Sequence, residues 1–229
     1  MYSIEYRGET NLQHGIYITQ RPAVPAAVEE VKTYKVAGRD GILTGDRYLR
    51  PLSLEVEMNF KAAPDMWADK FREIKTWLSG SGRLIQSDDP DWFLKVLYVQ
   101  VQNEERKIKR LGKFNVVFTC DPYMYRLDGT IPYAIDDDRI QNNEYEECHP
   151  SYILTGSGTR GLTVNGTQVI IEVNGTTIVD TDRMITYTQS DLKLRNTRLS
   201  GEYEDLYLKK GENTISGDDV TIIPNWRSR

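Results

Sequence analysis

Nine consecutive residues place the tightest constraint on what this chain can fold into. Leu52, Leu54, Val56, Met58 and Phe60 alternate strictly with Ser53, Glu55, Glu57 and Asn59. Successive side chains of a strand leave opposite faces of the backbone, so a period of two describes a strand with one buried face. A helix would scatter the same five apolar groups around its circumference. The chain must therefore build a sheet and cover one side of it.

Helical spacing occurs once. Trp67, Phe71, Ile74 and Leu78 recur at i, i+4, i+7 and i+11, with Pro64 and Asp65 ahead of them and Gly80 and Gly82 behind. This predicts a single amphipathic helix over residues 64–79. Around it the N-terminal half reads as strands. Residues 2–20, broken by Gly8 and Gly15, form a strand pair, and Pro22 and Pro25 make 21–25 an edge or linker, because each fixes φ and removes a donor. A tight turn is expected at 39–41, another turn at 88–91, and strands at 93–102 and 113–119. Between the last two, Glu104, Glu105, Arg106, Lys107, Lys109 and Arg110 alternate in charge as a solvated hairpin end would. A long two-sided ribbon of this kind is the expected self-assembly surface, since a single sandwich cannot cover it.

After Pro122 the composition shifts toward Asp, Asn, Gly and Thr, which puts a domain boundary between residues 125 and 143. Apolar runs at 162–164, 168–173 and 177–179 are separated by Asn165-Gly166 and Asn174-Gly175, strong hairpin signals. Runs at 192–194, 203–208 and 220–223 continue the meander. The expected architecture is mainly β: an N-terminal β-sandwich with one helix and a long hairpin over 1–130, and an antiparallel β-sandwich over 131–229. A chain of 229 residues with 39% hydrophobic and 28% charged side chains can support two such cores.

Composition also removes function classes. A net charge of −5 gives no general attraction for nucleic acid or anionic lipid. The N-terminus carries Glu5 and Arg7 where a signal peptide needs an apolar core, no apolar run is long enough to span a membrane, and Cys120 and Cys148 are too few for a disulfide framework. A soluble protein made in a reducing cytoplasm is expected.

Each chemical motif has a plainer reading. Residues 156–161, Gly-Ser-Gly-Thr-Arg-Gly, satisfy G-x-G-x-x-G, but β-branched sequence follows where a dinucleotide site needs a helix N-terminus, so a flexible turn is expected. Asn165 and Asn174 head glycosylation sequons that type I′ turns explain equally well. Asp136-Asp137-Asp138 lacks the spacing of a calcium loop and reads as a solvated linker. Cys148 and His149 are neighbours that point to opposite faces of a strand, which separates a thiolate from its base, and with Cys120 they lack zinc-ligand spacing. Glu55 and Glu57 share a face as glycosidase acids could, yet occupy the expected polar side. Tyr203, Tyr207 and Trp226 could form a sugar platform, but core or interface packing is the commoner use of such rings. No catalytic residue, cofactor or metal is expected.

Taken in order, V-A-G-R-D-G at 36–41, I-K-T-W-L at 74–78, S-G-S-G-R-L at 79–84, D-D-P-D at 88–91 and F-N-V-V-F-T-C-D-P-Y at 114–123 resemble the distal tail (Dit) family of phages that infect Gram-positive bacteria. L-S-G-E-Y-E-D-L-Y-L-K-K-G-E-N-T-I at 199–215 and I-P-N-W-R at 223–227 look like the family's galectin-like second domain. The resemblance implies a non-enzymatic structural protein of the virion, at the distal end of the viral tail. It implies a homohexameric ring in the baseplate or tail tip, between the tail tube protein and a tail-associated fibre or lysin protein, with tape measure or DNA only passing through the lumen. Some relatives carry long carbohydrate-binding insertions, for which this chain has no room. The alternatives are a carbohydrate-binding protein that contacts the host cell wall and, behind it, a glycan hydrolase.

Overall fold

A computed structural model describes residues 1–108, 110–135 and 139–229, and the side chains of all of these except 103–108 and 139–140. Lys109 and Asp136-Asp137-Asp138 lie outside the described residues. Among the described residues the fold is mainly β with one α-helix. It divides into two compact units, Met1–Met124 and Tyr125–Ser228.

In the first unit the alternating segment becomes the strand Leu52–Lys61, and its five apolar side chains are buried while its polar ones face outward. It pairs antiparallel with Leu111–Arg126, so that Leu54, Val56 and Met58 lie opposite Phe118, Val116 and Phe114. The sheet runs in the order Glu9–Thr10, Ile4–Tyr6, Gly82–Gln86, Asp89–Ile108, Leu111–Arg126, Leu52–Lys61, Ile16–Ile18. The helix Trp67–Trp77 buries Trp67, Phe71, Ile74 and Trp77. The Phe60 ring lies 5.4 Å from Trp67 and 5.9 Å from Phe71, and Phe71 meets Phe114 edge-on at 5.6 Å. Burial of each such ring or aliphatic side chain contributes about 1.5–3 kcal/mol, which identifies this aromatic seam as the main stabiliser of the unit. Phe60 can fold down only because residue 112, opposite it, is glycine: a Cβ there would stand 2.3 Å from the ring.

Several local expectations are corrected. The helix is shorter than 64–79 at both ends. Met66, at its N-cap, makes no side-chain capping bond, and Leu78 already leaves helical geometry. The N-terminal strand pair is Ile4–Tyr6 with Glu9–Thr10, turned by Arg7 and Gly8 at positive φ, whereas Ile16–Ile18 joins the opposite edge of the sheet through Phe60, Asn59 and Met58. The turn expected at 88–91 is tighter and earlier: Gln86 already faces Asp89. The strands expected at 93–102 and 113–119 extend to Asp89–Ile108 and Leu111–Arg126.

The second unit is organised by one long hairpin. Ser151–Val164 and Thr167–Asp180 pair along their whole length through Asn165-Gly166, where φ values of 51° and 84° make the type I′ turn that this dipeptide favours. The other dipeptide, Asn174-Gly175, is not a turn. It lies inside the second strand, and Gly175 faces Gly156 across the ladder. The glycine motif at 156–161 likewise is strand and not loop. Gly156, Gly158 and Gly175 all have positive φ, so the hairpin bends in its middle and buries side chains toward its two ends. The residues expected as a strand at 203–208 begin as the 3-10 turn Tyr203–Leu206, with Leu206 and Leu208 both buried. Leu192 and Leu194 are exposed, and Leu194 makes only a bridge to Tyr187.

Candidate assembly surfaces

Between Pro25 and Leu52 the chain leaves the first unit's sheet and forms its own. Glu29–Tyr34 and Leu43–Leu49 pair antiparallel as a separate two-stranded sheet, an arm that shares no ladder with either larger sheet among the described residues. Val28, Tyr34, Val36, Ile42, Leu43 and Tyr48 are all 38–59% exposed on it. Three ion pairs lie within it. Glu29 meets Arg47 at 3.9 Å, Glu30 meets Arg50 at 2.5 Å, and Lys32 meets Asp46 at 3.5 Å. The Arg50 guanidinium hydrogen-bonds the Glu30 carboxyl and lowers its pKa, and the Glu30 bond to the Tyr48 phenol raises that one. Exposed pairs of this kind fix register more than they stabilise. Beside these pairs and the charged Lys35, Arg39 and Asp40 between its strands, the arm offers a neighbour several large exposed apolar side chains.

The ribbon expected to carry assembly is present as the strands Asp89–Ile108 and Leu111–Arg126. Glu104, Glu105, Arg106 and Lys107 lie on the first of these, where their side chains fall outside the described residues, as Lys109 does entirely. Arg110 is exposed and its carbonyl accepts a 3.0 Å bond from the Ala62 amide. Lower on the same strand Leu97 and Tyr98 are exposed. The arm itself was missed as a surface, because Gly38 and Asp40-Gly41 read only as a turn. The available signal was negative: neither of its strands alternates.

The chemical candidates resolve into packing. Glu57 is bound to Lys113 at 2.6 Å, and Glu55 faces outward on the same strand. Cys120 is buried on its strand, and burial pushes its thiol up to about 12, with Asp121 adding to the shift. Burial also raises the Cys148 thiol, so neither sulfur is a ready nucleophile. Tyr203 bonds Thr186 through its hydroxyl at 2.9 Å, Tyr207 stacks on His149 at 3.9 Å, and Trp226 packs against the core of the second unit. These three rings are occupied where they stand. In the first unit His14 stacks on Trp77 at 4.6 Å and reaches Glu9 at 2.8 Å and Glu73 at 3.5 Å, closing a cavity of about 410 Å³ that Arg7 and Thr76 also line. Among the described residues no group of three or more His, Cys, Asp or Glu side chains could hold a metal ion, and no helix is long and apolar enough to cross a membrane.

No family model and no curated protein matches this sequence. Solved structures do. The Dit protein of phage SPP1, described as a paradigm of the hub adsorption apparatus in phages that infect Gram-positive bacteria, superposes with a TM-score of 0.69 over 97% of each chain at 15% identity. A chain of the phage P2 baseplate in its activated conformation with Ca superposes with a TM-score of 0.56, over all of this chain and 97% of that one, at 9% identity. Across nearly its whole length, this chain has the fold of a Dit hub.

Proposed function

We propose that this protein is a non-enzymatic structural component of a phage tail tip, a distal tail protein that forms a ring of six copies in the virion. The observation that carries this reading is the likeness to the SPP1 Dit hub, which embraces both units together and leaves almost no residue of either chain unmatched. Two separately common β units rarely recur in one order by chance. The ring is built by the first unit and joins the tail tube protein to a tail-associated fibre or lysin protein, with tape measure or DNA passing through the lumen. The second unit, a galectin-like domain, lies outside the ring.

The first unit supplies what a closed ring needs. A heterologous interface presents one surface to the next copy and a different one to the previous copy. The arm and the charged segment 104–110 are proposed as two such surfaces, and an isolated two-stranded hairpin is marginal unless something packs on it. The test is the mass of the purified protein in solution, with and without tube protein, by light scattering and negative-stain microscopy. Rings of six, alone or on tube protein, are expected. A monomer under both conditions overturns the reading.

A further inference from the structure

His149 sits in the second unit between an aromatic ring and a buried cation. Tyr207 stacks on one face of the imidazole, with centroids 3.9 Å apart and planes 18° apart. Arg227, only 7% exposed, brings Nη2 to 2.8 Å from Nε2 and Nη1 to 3.4 Å from Nδ1. Arginine has donors and no acceptor, so Nε2 must be the acceptor in this contact and the neutral ring carries its proton on Nδ1. Nδ1 faces Asp182 Oδ1 at 3.5 Å. Arg227 is held from its other side by the Glu147 carbonyl, which accepts from Nε at 2.6 Å.

The segment that Arg227 belongs to depends on this corner. Its carbonyl accepts from the Glu146 amide at 3.2 Å, the Asn225 side chain donates to the His149 carbonyl at 2.9 Å, and the Trp226 carbonyl accepts from the Arg126 amide at 2.9 Å. Asn225 itself sits at φ 53°, in the left-handed region that asparagine tolerates better than most residues.

We propose that His149 is a pH-operated latch for the segment 225–228: the neutral imidazole accepts the Arg227 hydrogen bond and holds the segment, and the imidazolium releases it. The proton enters at Nε2, the atom that faces Nη2. It removes the acceptor and leaves two cations at hydrogen-bond distance. Other groups face the ring. Asp182, 3.5 Å from Nδ1, and the Glu147 carboxyl, 3.9 Å from Nε2, attract the imidazolium, and both are more exposed than Arg227. The Tyr207 phenol is raised by burial and by Glu204, so it stays neutral and gives no counter-charge. The carboxylates stabilise the imidazolium but leave Nε2 with no lone pair to accept from Arg227.

The reporters are the backbone amides of Arg126 and Glu146 and that of Asn225, which donates to the Gly129 carbonyl at 2.9 Å, with the amides of the Ser151–Val164 strand as a reference for the folded unit. Hydrogen-exchange protection, corrected for intrinsic rates, is measured from about pH 8 to about pH 5, the range in which imidazoles change charge. The three reporters are expected to lose about tenfold in protection at the acid end, the factor that one lost hydrogen bond to a charged group accounts for, while the reference holds. His149→Gln keeps an acceptor where Nε2 stands but does not titrate, so it retains the protection throughout. Arg227→Met lacks it throughout. Wild-type protection that does not change with pH, His149→Gln that opens like wild type, or Arg227→Met that stays closed would each overturn the latch.

Discussion

Two neighbouring stretches of the first unit, the arm at 29–49 and the strand at 52–61, are both antiparallel β and are separated only by Arg50 and Pro51. One buries five side chains; the other buries none. Their apolar content does not explain the difference, since the arm's strands contain Val31, Tyr34, Leu43, Tyr48 and Leu49. Spacing does. Alternation gathers apolar groups on one face, where a helix can cover them, and the unpatterned strands leave both faces mixed. The arm is therefore held by its turn and three cross-strand ion pairs, and it must take further ordering free energy from something outside its own fold.

The contrast can be broken first at its strongest point. Phe60→Ala removes the ring around which Trp67, Phe71 and Phe114 pack and is expected to cost about 3–5 kcal/mol, read as an earlier unfolding transition of the first unit in denaturant. A paired substitution is sharper. At Gly112 an added Cβ would stand 2.3 Å from Phe60, and at Gly45 it would stand 2.6 Å from the Tyr34 ring. The geometry is nearly the same, but Phe60 is boxed in and Tyr34 is half exposed. Gly112→Ala should cost about 1–3 kcal/mol by overpacking, and Gly45→Ala no more than about 0.5 kcal/mol because the exposed ring swings aside. Equal melting shifts for the two would show that the arm is packed as firmly as the core.

How far the sequence discloses this structure follows the same logic. Where local chemistry and burial agreed, as in Leu52–Lys61, in the helix face and at Asn165-Gly166, the residues were legible. They misled where one dipeptide serves two purposes. Asn165-Gly166 turns the hairpin with both residues at positive φ, whereas at Asn174-Gly175 only the glycine has positive φ and the chain continues as strand. What separates them is the 14-pair ladder that surrounds the second, a long-range fact that no short window contains. The run at 203–208 shows the converse: Leu206 and Leu208 are buried as expected, but the chain reaches them through a 3-10 turn, and Tyr152 fastens it by donating to the Leu206 carbonyl at 2.8 Å. Of the two candidate assembly surfaces, the ribbon's existence was legible and the arm was not, because exposure of apolar side chains leaves no pattern in sequence. Gly166→Ala, at φ 84°, should cost about 1 kcal/mol in the second unit's transition, a loss that nothing nearby can relieve because the strain is in the backbone itself.

The smallest effect on folding is expected where the effect on assembly is largest. Tyr34, Ile42, Leu43 and Tyr48 are exposed in the single chain, so replacing any of them by Ser removes little buried area, and each change should shift stability by no more than about 0.5 kcal/mol. The same four side chains are large exposed apolar groups of the arm. If a neighbouring copy covers them, the fourfold variant loses several side chains of interface burial at once, and in a ring it loses them at every junction. The variant should therefore melt within several degrees of the wild type in dilute solution and fail to form rings by light scattering and negative-stain microscopy. Deleting 103–110 and closing the ribbon with a short turn gives the complementary arm of the experiment. A fourfold variant that still forms rings, beside a deletion that does not, would move cohesion from the arm to the ribbon tip and leave the arm as an element that some other tail protein covers.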